Sequence, residues 1–132
     1  MQFVVFKLGK EHFAVETEKI QSINDMMSIT KVPKAPIYIK GLINLRGSIK
    51  SLVDINLLLN IASDRQQSNI IILKLDEEEI GIAVDEVDEV IDIDDNNLQK
   101  LELHSNQGYL RGVIEINDKL LTIIDIEKLL NQ

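Results

Sequence analysis

The residues that could carry chemistry in this 132-residue chain are few and scattered. His12 and His104 lie far apart in polar, turn-like stretches with no HxxxH partner. They read as solvated side chains, since a ligand or general base needs a positioned partner within hydrogen-bond reach. The absence of cysteine removes disulfides, thiolate nucleophiles, Cys-type zinc sites and iron–sulfur clusters. None of the seven serines lies in GxSxG, and neither GxxxxGK[ST] nor GxGxxG occurs. The run Asp85 to Asp95, DEVDEVIDIDD, invites a calcium reading, but it lacks the glycine of a calcium loop. Counted from Asp92, the twelfth position is Leu103 rather than Glu. It reads as a solvated acidic face. The expectation is a protein that is not an enzyme and holds no metal or cofactor.

What remains is the chemistry of binding. Residues 1–66 carry nine Lys/Arg against six Asp/Glu, and residues 67–132 carry five against sixteen, giving the chain its net −8. An acidic chain is a poor match for nucleic acid, whose binding rests on neutralising phosphates. Between Met26 and Val53 stand Lys31, Lys34, Lys40, Arg46 and Lys50 with no acid among them. That stretch is either a solvated rim or a docking surface for an acidic partner. Arg46 is the sharper candidate, because a guanidinium fork on an apolar stem is a frequent interface anchor.

These side chains need elements to position them. With 45% apolar and 27% charged residues the chain reads as one soluble globular unit, and its apolar runs are too short to span a bilayer. The N-terminus MQFVVFKLGKEHF looks like a first strand rather than a secretion signal, so a cytoplasmic location is expected. Twenty-one Ile and nine Val favour strands. FVVFKL–GKEH–FAV and NIIILKL–DEEE–IGIAV each predict a hairpin with a four-residue polar connection.

The chain also repeats itself. Tyr38 to Asn60 aligns without a gap on Tyr109 to Asn131 at an offset of 71, and Phe6 to Ile23 aligns on Leu73 to Val90 at an offset of 67. The second copy has therefore gained four residues in between. Each copy predicts about five short strands, a short helical turn and a terminal helical turn. Thr17 and Asp85 stand where they could cap the short turn, with Ile20/Ile23 and Val87/Val90 on one helical face. The expected fold is all-β, two small barrels related by a pseudo-two-fold. Residues 1–66 would form the first and 67–132 the second, with Ala62 to Ser68 as junction. Arg46-Gly47-Ser48 aligns with Asn117-Asp118-Lys119, so the turn itself does not call for arginine.

The ordered set FVVFKLGKEHFAVE, ITKVPKAPIYIKGLINLRG, LVDI, GIAVDEVDEV, YLRGV and LLTIIDIEKLL resembles the CheW-like domain family across nearly the whole chain. Asn44-Leu45-Arg46-Gly47, preceded by Val32-Pro33, Pro36 and Gly41, is its most specific part. One departure is Ser48-Ile49-Lys50-Ser51, where the family usually continues with apolar residues and a proline. The resemblance implies two five-stranded SH3-like β-barrels packed through a shared core. It also implies a non-catalytic adaptor that joins the cytoplasmic tips of methyl-accepting chemoreceptors to the regulatory domain of a CheA-type histidine kinase. Carried over residue by residue, it places Ile20, Arg46 and Val87 at receptor and Ile29 at kinase. A free-standing domain, monomeric when alone and recruited from the cytoplasm to receptor arrays at the inner membrane without inserting, is expected. A pilus-motility or other chemosensory pathway using the same adaptor, or a small ligand-binding domain, stand as alternatives.

Overall fold

Each repeat opens on a tight hairpin. In the computed structural model, which describes residues 1–94 and 108–131, β1 (Gln2–Leu8) turns through Gly9-Lys10 into β2 (Glu11–Glu16). β6 (Asn69–Leu75) turns through Asp76-Glu77 into β7 (Glu78–Val84). The connections are two residues long rather than the four expected. Polar side chains at the hairpin ends do not stop their backbones from pairing, Lys7 with His12 and Leu8 with Glu11, Lys74 with Glu79 and Leu75 with Glu78. Sequence polarity therefore understated the strands.

The remaining elements are β3 (Ile20–Asp25), β4 (Ile39–Leu45), β5 (Ser48–Asp54) and α1 (Ile55–Leu59) in the first copy. In the second they are β8 (Glu86–Asp92), β9 (Leu110–Ile116), β10 (Lys119–Ile124) and α2 (Ile126–Leu130). Two five-stranded sheets result: sheet A in the order β8-β1-β2-β10-β9 and sheet B in the order β3-β6-β7-β5-β4. The all-β class and the two five-stranded units agree with expectation. The assignment of residues 1–66 to one barrel and 67–132 to the other does not, because each sheet takes its first hairpin from one copy and its other three strands from the other. Nor are the sheets closed: in each, the two edge strands do not pair with one another.

Despite the exchange, the copies correspond pair by pair. Val5 opposite Ala14 becomes Ile72 opposite Gly81. The parallel pairing of β10 with β2 recurs as β5 with β7. Both third strands carry a bulge in the same place: Ile20 faces Leu73 and Ile23 faces Ile71, just as Val87 faces Phe6 and Val90 faces Val4. That extra residue explains why the sequence suggested helix. Residues i and i+3 of a regular strand point to opposite faces, and a one-residue bulge returns them to one face. The short helical turn survives only at Thr17–Lys19, with no side-chain cap; the Thr17 hydroxyl donates to the Gln2 carbonyl at 3.4 Å. Asp85 caps nothing.

Strand alternation sorts the core into three parts. Phe3 and Val5 of β1 point into a cluster with Ala14, Ile114 and Ile123 inside sheet A, and Ile70 and Ile72 of β6 into one with Ile43, Leu52 and Ala83 inside sheet B. The opposite faces of the same strands, Val4, Phe6 and Leu8 and Ile71, Leu73 and Leu75, meet in a larger cluster between the sheets. This is the shared core. Both helices seal it. Asp54 accepts a hydrogen bond from the Asn56 amide at 3.1 Å and Asp125 from the Lys128 amide at 3.3 Å, so each begins on an aspartate cap, and Ile55 and Ile126 then turn inward. The expected junction is an ordered strap. Ser63 is tied to Asp85, and the Ser68 amide to the carbonyls of Val84 and Asp85.

Candidate functional site

Ile20 and Val87 occupy equivalent places, each the first residue of a third strand or next to it, half-buried at the rim of the shared core. Beyond each bulge the same face runs outward to Ile23, 41% exposed, and Val90, 56% exposed. The structure thus joins Ile20 and Val87 through one apolar cluster. Among the described residues no hydrogen bond or ion pair joins Arg46 to them. It tops the β4–β5 hairpin, whose Leu45 packs into the inner cluster of sheet B.

The backbone at Arg46 is informative. Arg46 and Gly47 have φ of 53° and 85°, the double positive pattern of a type I′ turn, and Asn117 and Asp118 repeat it at 53° and 63°. Asparagine, aspartate and glycine suit that region; arginine does not. The Gly47 amide donates to the Asn44 side chain at 2.9 Å, which steadies the turn without using the guanidinium. Among the described residues, nothing accepts a hydrogen bond from the Arg46 side chain or forms an ion pair with it. A disfavoured backbone thus carries an exposed, uncommitted cation.

Ile29 lies in the strand-like segment that crosses β4. Thr30 and Leu42 exchange backbone hydrogen bonds of 2.9 and 2.8 Å, and Ile29 packs with Met26, Met27 and Leu45 onto the inner cluster of sheet B. Of the basic stretch, Lys31 and Lys34 are exposed and unpaired among the described residues. Lys50 is bound to Glu79 at 2.7 Å, and Lys40 donates to the Gln67 side chain. The docking-surface reading therefore rests on Lys31, Lys34 and Arg46.

Sequence reasoning missed the polar clamps beneath this surface. Lys40 and Arg111 are equivalent residues at equivalent bulges. Arg111 pairs with Glu16, and beside it Lys19 pairs with Glu127 at 2.5 Å, so the crossover out of sheet A is held to β9 and α2. On the other side Gln67 reaches Asp54 and Asn56, each at 3.1 Å. The caps were legible, since an aspartate before an apolar run is a helix start signal. Asp85, read as part of a solvated acidic face, is 3% exposed and accepts 2.6 Å bonds from the Gly9 amide and the Ser63 hydroxyl. The rest of the run fits the reading: Glu86, Asp88, Glu89 and Asp92 are exposed along β8. Asp95, His104 and the four-residue gain lie outside the described residues. Among the described residues no group of three or more His, Cys, Asp or Glu is placed to hold a metal.

His12 sits in β2 rather than a turn, and its Nε2 is buried with no partner among the described residues. Burial, and then the charges of Lys119 and Lys7, lower its pKa from 6.5. The unfolded chain then binds more protons below about pH 6.5, so stability is full above that value and falls as pH drops toward the folded pKa. His12→Gln should flatten this dependence. Denaturation midpoints between pH 7.5 and 5 should fall further for the natural chain than for the variant, and equal falls would show that His12 has no part in it.

Comparison with known proteins bears on this geometry. The CheW-like domain profile matches residues 2–132, effectively the whole chain. The chain belongs to the CheW-like domain family. It is 28% identical to the chemotaxis protein CheW of Klebsiella aerogenes over 135 residues, covering 98% of this chain and 81% of that protein. With CheW of Thermotoga maritima it shares 29% over 129 residues, covering 96% and 85%. The crystal structure of the scaffolding protein TtCheW from Thermoanaerobacter tengcongensis superposes with a TM-score of 0.88 at 31% identity, covering 97% of this chain and 86% of that one. The chain is a mostly-β chemotaxis scaffold domain of the CheW type. None of its described helices is long and apolar enough to cross a membrane.

Proposed function

We propose that this CheW-like domain is a non-catalytic coupling adaptor that joins the cytoplasmic tips of methyl-accepting chemoreceptors to a CheA-type histidine kinase in membrane-associated arrays. Ile20, Val87 and Arg46 take the receptor and Ile29 the kinase. The observation that carries this reading is Arg46. A side chain in a conformation unfavourable to it, where the second copy places Asn117, and with no internal partner, is accounted for by a binding role. The half-buried pair Ile20 and Val87 adds an apolar surface beside the crossovers, and Lys31 and Lys34 supply a basic rim that would speed association with an acidic kinase surface at low salt.

Arg46→Asn separates binding from folding. Asparagine suits a positive φ, so the thermal midpoint should hold or rise by a few degrees, relief of αL strain being worth about 1 kcal/mol. Removing an interface anchor should weaken receptor capture by ~2 kcal/mol or more, some thirty-fold. Calorimetry and binding to a receptor signalling-tip fragment, measured on one preparation, test this. A variant that loses stability yet binds receptor normally would make Arg46 a structural residue. Failure of the natural chain to co-purify a chemoreceptor and a CheA-type kinase from its own cytoplasm would end the adaptor reading.

A further inference from the structure

On sheet B a groove of about 660 Å³ has Val53, Ile80 and Leu130 among its walls and Asp76, Glu77 and Glu78 along its rim. Shifted by the repeat offsets, these positions land on Ile124, Phe13 and Leu59 with a rim of Gly9, Lys10 and Glu11. That equivalent place is partly covered. The chain leaving α1 turns at Asn60, whose φ is 56°, and passes over the β1–β2 turn at Gly9, with a space of about 830 Å³ left between residues 60–65 and Gly9, Lys10 and Glu11. Ile61 packs down onto the shared core, and the Ala62 carbonyl oxygen lies 2.9 Å from where a Cβ on Gly9 would stand. Ser63 then anchors the segment to Asp85. The molecule thus shows, with its own residues 61–65, how an extended segment lies on this groove: one apolar side chain inward, small residues across the hairpin turn.

We propose that the open groove beside Asp76, Glu77 and Glu78 binds an extended basic segment of a partner protein, laid over the β6–β7 turn as residues 61–65 are laid over the β1–β2 turn. Charge selects that occupant. The covered rim holds one base and one acid, Lys10 and Glu11, beneath a covering segment that also carries one of each, Asp64 and Arg65. The open rim holds three exposed carboxylates with no ion-pair partner among the described residues; nearby Lys50 is committed to Glu79. An acidic or neutral segment would leave those charges crowded, whereas a basic one pairs them. Asp76, with φ of 52°, also puts a side chain where Gly9 has none. The occupant's backbone therefore crosses less closely, and its cationic side chains fill the gap.

The probe is an acetylated, amidated peptide IASKRQ, the sequence of residues 61–66 with lysine for Asp64, set against an acidic control IASEEQ. Each is titrated into the isotope-labelled full chain and followed by amide chemical shifts. The expected result is saturable shifts at Ile39, Ile80 and Leu130 with the basic peptide, at least ten-fold weaker affinity for the acidic one, and a ten-fold or greater loss in a Glu77→Lys, Glu78→Lys double variant whose thermal midpoint is unchanged. Equal affinity for the two peptides, no saturable shift at the groove, shifts centred on Ile20 or Arg46, or concentration-dependent shifts at the groove with the chain alone, which would mark contact between copies, would each overturn it.

Discussion

Produced separately, residues 1–66 and residues 67–132 should each lack a cooperative unfolding transition, and mixed in equal amounts they should regain one. Four of the eight strand pairings, β1 with β8, β2 with β10, β3 with β6 and β5 with β7, join one half to the other. Alone, either half retains two isolated hairpins, which are marginal in water. The shared core is divided in the same way, with Val4, Phe6, Leu8, Phe13, Val15, Val53 and Ile55 meeting Ile71, Leu73, Leu75, Ile82, Val84, Ile124, Ile126 and Leu129. Neither set has anything to bury against without the other. Circular dichroism melts of each fragment and of the mixture, with the size of the mixed species from sedimentation, check this. A sigmoidal melt from either fragment alone would mean that a half can pair its own strands and that the exchange is dispensable.

That exchange is the part of the fold the sequence conceals. The duplication was legible because two gapless blocks repeat the same apolar and polar pattern, and that alignment alone matches Ile20 with Val87. Which first hairpin receives a third strand was not. Phe6 and Leu73 present the same apolar face, and β3 carries nothing that distinguishes a neighbour in its own copy from the equivalent in the other. At Thr17–Lys19 the chain passes from sheet A to sheet B, and there Lys19 meets Glu127 and Glu16 meets Arg111, long-range pairs that no local pattern reports.

The candidate site divides along similar lines. Alignment of Arg46 with Asn117 showed that the turn does not call for arginine, whereas the positive φ that makes arginine costly there is a property of the coordinates. Asp85 was misread for the reason that makes it interesting: an aspartate within an acidic run looks solvated until the strap at Ser63 and the turn at Gly9 close over it.

Gly41→Ala should be among the most damaging single substitutions in the chain. Its φ of 149° lies where side chains are strained, and a Cβ there would stand 2.3 Å from the Thr30 carbonyl oxygen and 2.7 Å from Ile29 Cγ2. The first obstacle is backbone, held by the reciprocal Thr30–Leu42 hydrogen bonds, so it cannot swing aside without breaking them. Two such bonds at about 1 kcal/mol each, with backbone strain of about 1–3 kcal/mol, give a loss near 3–5 kcal/mol. For a domain of this size that lowers the thermal midpoint by ten degrees or more. The damage should also be local before it is global. Freed from β4, the segment bearing Ile29 would lose its seat on Met26, Met27 and Leu45, while the Arg46 turn keeps its Asn44–Gly47 bond. Below its midpoint the variant should therefore show faster hydrogen exchange at the Leu42 and Thr30 amides and weaker kinase binding, with receptor binding closer to normal. A midpoint within two or three degrees of the natural chain would show that β4 and the Thr30 segment can separate at little cost. Equal losses toward both partners would remove the assignment of kinase to Ile29 and receptor to Arg46.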